Sequence, residues 1–563
     1  MTINHPRRSN PTRRSIWVAF LVIMVMIAAA CAAEGPDDDG ALEAEEPAAD
    51  TEEPAADTEE PADAADDSTA ASELVYLSSI DFTTMASMDA VSATTALVQW
   101  NVQESLIGRD QETGEFIPML ATDWEWVDDL TLRMAIREGV SFHDGTPLNA
   151  ETAAAATNIN FSPDRPAGRL LGFQVVPFEA VAVDDYTLEI RTEEPYPNVV
   201  QLMWLSALPS PAHFENEGVE AWESEPVGTG PYQFVEWNRS RSIVELERNP
   251  DWWGHDDPDA ADGRADFERV RIEYRSDPQS RIAAVAAGEA DVAELVPGDA
   301  CRNDLGEQCF EADSIDNTYI RVDHPHPVLG DRRIRQAVAH ALPREQLAEE
   351  VFPGEPIRMV LSPAGVGYNE DIPLIEYDPD RARELVEEAR ADGVPVEQEL
   401  LLRGDPRLVG LEDVGVVLEA ELTAIGLNIG WQLLENEVYR SDILLKDHPE
   451  DPVPDDRGAI LIHRSSDRMQ DFFVTAAQLF SCTDVISTYC NPEFDAQVQA
   501  AGQIADPDER HETLKELASF IFEEELAMIP FIATSNFHGL SDGVAWDYRS
   551  DTNVLFKNMR VRD

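Results

Sequence analysis

Leu130-Thr131-Leu132-Arg133-Met134-Ala135-Ile136, running on into Arg137-Glu138-Gly139-Val140-Ser141-Phe142-His143-Asp144-Gly145-Thr146-Pro147, is the stretch from which the fold is read. Its first seven residues alternate as a half-buried strand does, because successive strand side chains point to opposite faces. Asp144-Gly145-Thr146-Pro147 then reads as a turn, with glycine supplying a permissive backbone and proline a fixed one. Outward from here the same signals recur. Leu74-Val75-Tyr76-Leu77 is a strand. Val181-Ala182-Val183 and Tyr186-Thr187-Leu188-Glu189-Ile190 form a hairpin turned at Asp184-Asp185. Val270-Arg271-Ile272-Glu273-Tyr274 alternates again. Amphipathic helices are predicted at 279–288, 331–341, 379–391, 411–425 and 506–525. Asp378 is an N-cap with Pro379 in the first turn, and Gly426 is a helix stop. Strands and helices alternate in the later half, which predicts an α/β protein; the strand-rich early part predicts a mixed sheet.

The amino terminus argues from charge and hydropathy. Arg7, Arg8, Arg13 and Arg14 make a basic head, and an uncharged apolar run follows from Ile16 to Ala30. That run is shorter than the ~20 residues a membrane span needs, so residues 1–30 read as a signal peptide. Its end, Ala28-Ala29-Ala30-Cys31, resembles the lipobox of bacterial lipoproteins, which implies a lipid on Cys31 and cleavage just before it. A multiply acylated cysteine is a stable anchor. Thr12-Arg13-Arg14-Ser15-Ile16 is also similar to a twin-arginine signal, and the export route stays open. Residues 31–72 repeat Glu45-Glu46-Pro47, Glu52-Glu53-Pro54 and Glu59-Glu60-Pro61. Such a stretch has nothing to bury, so a disordered, extended tether is expected. The expected location is the outer face of the cytoplasmic membrane, lipid-anchored.

The chain has 563 residues and a formal net charge of -69, with three lysines only, Lys446, Lys515 and Lys557. No basic footprint exists for nucleic acid or for an anionic membrane surface. The length beyond the tether predicts two or three domains. Cys301 with Cys309 and Cys482 with Cys490 each enclose a short loop, and an exported setting permits disulfides. Two local disulfides are predicted, each stapling a loop.

Several motifs now fall in order. Glu104-Ser105-Leu106-Ile107-Gly108-Arg109-Asp110 precedes Pro118, Leu120-Ala121 and Trp124, and then the opening stretch. Pro226-Val227-Gly228-Thr229-Gly230-Pro231-Tyr232 is followed by Glu247-Arg248-Asn249-Pro250-Asp251-Trp252-Trp253. Ala287-Gly288-Glu289-Ala290-Asp291 comes next, then Asp331-Arg332-Arg333-Ile334-Arg335-Gln336-Ala337 with Ala341-Leu342-Pro343-Arg344, and Tyr377-Asp378-Pro379-Asp380-Arg381-Ala382. Together they resemble the extracellular solute-binding proteins of family 5, the peptide and nickel type that serve ABC transporters. On the residues alone, most of this signature reads as scaffold rather than ligand contact.

The resemblance implies a two-lobed periplasmic-binding-protein-like fold with an extra subdomain on lobe one. Lobe one would take residues 73–114, 226–317 and 529–563, the extra subdomain 115–225, and lobe two 318–528. It implies a small-molecule or peptide ligand, most simply an oligopeptide or dipeptide, enclosed by hinge closure and handed to ABC permease subunits by a monomer. Relatives often clamp a ligand carboxylate with an arginine after a lobe-two strand. Here Glu399-Leu400-Leu401-Leu402 leads to Arg403, Asp405 and Arg407, and an arginine there is suited to a bidentate contact. The second expected spot follows Ala459-Ile460-Leu461-Ile462 and holds His463, Arg464 and Asp467. Relatives place a tryptophan and then aspartates there, one of which meets an ammonium, before a paired phenylalanine; Phe472-Phe473 match, the tryptophan and a proline do not, and the aspartate position falls nearer Ser465 unless Asp467 shifts in. Arg464 and Arg468 suit a more anionic ligand. Thr84 and Met85, after the first strand, complete the candidate ligand contacts.

Enzyme chemistry is not expected: GxSxG, HExxH and phosphate-loop patterns are absent. No cofactor is expected. His324-Pro325-His326 is a tight histidine pair without a persuasive third ligand, so no metal is assigned. A non-peptide solute (an anionic solute, sugar or metal chelate) or a ligand-sensing lipoprotein is the alternative reading on the same scaffold.

Overall fold

The alternating stretch is a strand, Thr131–Ile136, with Leu132, Met134 and Ile136 buried and Ala135 facing out. In this computed structural model it lies in a four-stranded antiparallel sheet ordered Ala121–Asp128, Thr131–Ile136, Thr187–Thr192, Phe178–Ala182. The last two strands are the predicted hairpin, closed where Val183 N donates to Thr187 O at 2.8 Å. The Asp144 turn also forms: Gly145 has φ +85°, and Thr146 N donates to Asp144 Oδ1 at 2.9 Å. The structure describes residues 73–82, 84–85, 93–110, 113–162, 176–255, 265–406, 408–435, 438–439, 460–466, 468–484 and 486–562. The expected signal peptide, Cys31 and the expected tether lie outside the described residues.

Two larger sheets accompany the small one. The first is seven-stranded, ordered Cys309–Ala312, Asn536–Leu540, Val292–Ala293, Glu73–Ser78, Arg269–Tyr274, Ile243–Arg248, Tyr232–Asn238. The second is six-stranded, ordered Gly354–Pro356, Met528–Thr534, Asp316–Val322, Ile460–Ser466, Glu399–Gly404, Asn428–Trp431. Glu73–Ser78 is central and parallel to both Arg269–Tyr274 and Val292–Ala293. The chain passes from the first sheet to the second at residues 313–315 and returns at Ser535. Residues 316 and 317 begin a second-sheet strand, and Met528–Thr534 belongs wholly to that sheet. The reason is antiparallel pairing, which sets Ile320 against Ile529 and Arg321 against Met528.

The helices follow their caps. Pro379–Ala391 starts where Arg381 N donates to Asp378 Oδ1 at 2.9 Å. Leu411–Ala424 stops before Gly426, which has φ +98°. The helix expected at 506–525 divides into Pro507–Ser519 and a wider π turn, Phe520–Glu525. Both disulfides are present, Cys301–Cys309 and Cys482–Cys490, with Cα atoms 5.2 and 4.3 Å apart.

The glycines of the 226–232 motif are scaffold. A Cβ on Gly228 would clash with Val102 O, and one on Gly230 would lie 2.7 Å from Asn101 O. Only glycine allows the two backbones to come that close. Next to them Glu104, buried, accepts hydrogen bonds from Thr229 Oγ1 (2.8 Å), Trp252 Nε1 (3.0 Å) and Trp253 Nε1 (2.8 Å). Two motifs distant in sequence are thereby fastened together. The largest apolar cluster runs from the small sheet, through Tyr196 and Val199, to Phe472, Phe473 and Leu514 on helices beside the second sheet.

Candidate ligand site

Glu399–Gly404 and Ile460–Ser466 run parallel, with Leu402 opposite Ile460 and Gly404 opposite Ile462. Parallel strands end at the same side of a sheet, and open α/β sheets bind ligands outside those carboxyl ends. Arg403, Asp405, His463 and Arg464 all stand there. Asp405 N donates to Ile462 O at 2.9 Å, which locks the two strand ends. Asp405, fully buried, holds Oδ2 3.7 Å from His463 Nδ1. The His463 ring packs edge-on to Tyr319 and stacks on Tyr439, whose hydroxyl hydrogen-bonds Nδ1. Burial pushes the Tyr319 phenol well up and keeps it protonated, with Arg321 opposing and Asp405 adding to the shift. Arg403 is buried on its strand. The structure brings Asp405 and His463 together, with Arg403 on the adjoining strand; Arg464, the next residue after His463, points to the other face of the sheet.

Arg464 turns toward the crossing. Its Nη2 meets Asp316 Oδ2 at 2.5 Å, at the first residue of the strand that enters the second sheet. Arg468 is half-buried nearby; burial lowers its hold on its proton, while Asp551 and Asp316 act against that and Arg464 acts with it. Asp551 belongs to the carboxy-terminal tail and is gripped by Arg549, with Nη2 to Oδ2 at 2.5 Å. Arg549 Nη2 also donates to Arg109 O at 3.0 Å. Arg109 and Arg549 share a small cavity with Gln103, Glu104, Trp253 and Lys557. Burial raises the Glu104 carboxyl, opposed by its donors Trp253, Thr229 and Trp252 and by the Lys557 charge.

The other predicted contacts lie elsewhere. Met85 is fully buried in the core of the first sheet with Phe82, Leu97 and Tyr76, where its side chain packs. Met85 N and Thr84 Oγ1 both donate to Glu223 O, at 2.7 and 3.3 Å, fastening this segment to the 219–225 region. Arg407 and Asp467 fall outside the described residues. Sequence reasoning did not pick out Asp316, Arg549 or Asp551. A basic residue in so acidic a chain was the available signal, and Arg549-Ser550-Asp551 carries it.

The histidine pair serves structure. His324 Nε2 donates to Ala527 O at 2.9 Å, and burial, helped by Arg335, takes its pKa down to about 4. His326 Nδ1 accepts from Val328 N at 3.2 Å. Among the described residues no three His, Cys, Asp or Glu side chains form a metal-binding group. None of the described helices is long and apolar enough to cross a membrane.

Two sheet-bearing lobes crossed twice by the chain, a small third sheet, and polar side chains at the strand ends beside the crossings define a periplasmic-type binding-protein fold. The chain belongs to the bacterial extracellular solute-binding proteins, family 5: residues 115–451 match that family's middle region. It is 28% identical over 330 residues to the glutathione-binding protein GsiB of Escherichia coli O1:K1 / APEC, a match covering 57% of this chain and 62% of the relative. It therefore spans less than two thirds of that relative's length. In fold it is similar to the ABC transporter substrate-binding protein CtaP of Listeria monocytogenes, with a TM-score of 0.76 at 19% identity, covering 87% of this chain and 99% of the other. The dipeptide-binding protein of Pseudoalteromonas sp. SM9913, solved with Met-Leu, is similar with a TM-score of 0.71 at 20% identity, covering 87% and 100%.

Proposed function

We propose that this chain is the extracytoplasmic solute-binding component of an ABC importer, which captures a peptide between its lobes by hinge closure and delivers it to membrane permease subunits. The observation that carries this reading is the pair of parallel strands that ends at Asp405, which contacts His463, and at Arg464, which contacts Asp316 where the chain enters the second sheet. Two chain crossings make a natural hinge, and polar groups at its edge are placed to be covered on closure. The matched family, the glutathione binder and the dipeptide complex support a peptide or peptide-like ligand.

In this reading the first sheet and the tail form lobe one, residues 115–225 its subdomain, and the second sheet lobe two. Arg403, Asp405, His463 and Arg464 contact the ligand, with Arg407 and Asp467 on the adjoining loops and Thr84 at the rim. Cys31 carries the lipid, and the acidic tether holds a monomeric body off the outer face of the membrane. The protein binds without turnover and needs no cofactor.

The test is mass spectrometry of material released from the purified, denatured protein, followed by thermal shift with what is found. A peptide that raises the melting temperature and is recovered intact supports the reading, because ligand binding to the native state alone stabilises it. Conversion to products would overturn it in favour of an enzyme. An intact ligand with no uptake defect in a deletion strain would favour a sensor.

A further inference from the structure

A cavity of about 50 Å³ lies where helix Ala93–Val102 ends, walled by the hairpin of Ile107–Arg109 and Phe116–Pro118, by Trp204 and Trp253, and by tail residues Arg549 and Lys557. None of its lining residues belongs to the second sheet or its helices, so the site does not depend on the strand ends described above or on closure over them. A water needs about 10–15 Å³ of such space, so the cavity takes a molecule of about four heavy atoms and is too small for a peptide. Gln103 lines it and is 1% exposed. Gly228 makes room for this side chain, since a Cβ there would lie 2.6 Å from Gln103 Cγ. Neither the side-chain oxygen nor the side-chain nitrogen of Gln103 has a hydrogen-bond partner among the described residues. Buried amides are paired as a rule, because an unpaired one loses its bonds to water and gains nothing in return. A glutamine offers a donor on one atom and an acceptor on the other, so a guest that satisfies it must bring both.

The charges beside Gln103 say more about that guest. Arg109, Arg549 and Lys557 line the cavity and are buried, against one lining carboxylate, Glu104. Both Glu104 oxygens already accept from Thr229, Trp252 and Trp253, and Arg549 holds Asp551. Lys557 is one of three lysines in a chain of net charge -69. A surplus of positive charge in a small enclosed space favours a negative guest. The indole rings of Trp100, Trp204 and Trp253 add apolar wall, which strengthens the polar contacts made inside it. Water answers the amide but not the charge. A halide or nitrate answers the charge and the amide N–H but leaves the amide oxygen unpaired. An oxyanion that keeps an O–H answers all three.

We propose that this cavity binds a small oxyanion carrying an O–H, bicarbonate or hydrogen phosphate, with Gln103 both donating to it and accepting from it beside Arg109 and Lys557. The guest ties the end of helix Ala93–Val102 to the 549–557 tail. The site is independent of any peptide held between the lobes.

The test is isothermal titration calorimetry of the purified full chain, at pH 8 and fixed ionic strength, with sodium bicarbonate, sodium phosphate and sodium nitrate. Nitrate shares the shape and charge of bicarbonate and lacks its O–H. Wild type should bind bicarbonate or phosphate about tenfold or more tightly than nitrate, the discrimination of one buried hydrogen bond. Whichever of the two binds more tightly is the guest. Gln103→Leu should weaken that binding about tenfold or more and erase the preference over nitrate. Equal affinity for nitrate, no binding of either O–H-bearing anion, or a preference that survives Gln103→Leu overturns the proposal. Should Gln103→Leu fail to fold, Gln103→Glu decides: it sets a carboxylate against the guest, and undiminished affinity in that variant overturns the proposal equally.

Discussion

His538 is neutral in the folded protein because burial alone takes its pKa down to about 3. Its ring sits against Trp546 and Tyr548, with centroids 5.0 and 5.1 Å away. The unfolded chain takes up this proton near pH 6.5. Between that value and about 3 the unfolded state binds more protons than the native state, so stability rises with pH across the window and is lost as pH falls. His538→Phe keeps a ring in the aromatic group and removes the titration. Urea unfolding from pH 7 to 4 should show a slope shallower by up to about 1.4 kcal/mol per pH unit. An unchanged slope would mean that His538 is protonated in the native state after all. His324, taken down to about 4 by burial and Arg335, should leave a residual slope of the same sign in the variant. The strand-end positions were legible at this scale for a local reason. Arg403, Asp405, His463 and Arg464 each follow an apolar run that can only be a strand. Asp316, Arg549 and Asp551 were not, since they reach the site from distant segments and no local pattern points there.

At the scale of elements, reading succeeded where one face is buried and a cap is present. Thr131–Ile136 shows its alternation, and Pro379–Ala391 shows both period and cap. It failed on Asp316–Val322, where every residue is buried and Asp316, Asn317, Thr318 and Arg321 sit among the apolar ones. A strand paired on both edges and covered on both faces has no alternation to read. Val292–Ala293 is too short for any periodicity. The helix through 506–525 kept a continuous pattern across the π turn, so its division was invisible. The glycine motifs make the contrast testable. Gly139 has φ +80° and open space where a Cβ would stand, whereas Gly228 abuts Val102 O. Gly139→Ala should therefore cost about 1 kcal/mol, the penalty of a left-handed backbone. Gly228→Ala must push two chain segments apart and should cost about 3 kcal/mol or more, or abolish folding. Chemical denaturation of both variants checks the order; a Gly228→Ala protein as stable as Gly139→Ala would show that the close approach is not needed.

For the whole molecule, charge and closure are the two quantities at stake. A net charge of -69 makes the compact state repel itself, and salt screens that repulsion. The melting temperature should climb between about 0.05 and 1 M NaCl, where the Debye length falls to about 3 Å; a flat profile would show that the acidic groups are spaced widely enough not to matter. A different contact joins the small-sheet segment to the helices beside the second sheet. Asp471 caps helix Phe472–Leu479 and is gripped by Arg510 of helix Pro507–Ser519, at 2.7 and 3.0 Å, all of it buried. The same guanidinium reaches out of that pair to Asn198 Oδ1 at 2.6 Å, on the segment that follows the small sheet. The Asp471–Arg510 pair lies within one part of the fold, and of these three bonds the one to Asn198 spans to the other. Asn198→Ala should leave the pair intact and loosen a junction that the apolar cluster through Tyr196 and Val199 also holds. Apparent ligand affinity scales with the population of the binding-competent state, so it should fall about tenfold to a hundredfold, the loss of one hydrogen bond to a charged group. Small-angle scattering of the ligand-free variant should show a larger radius of gyration than wild type. A weaker-binding variant with unchanged dimensions would place Asn198 in the ligand site instead of the clasp.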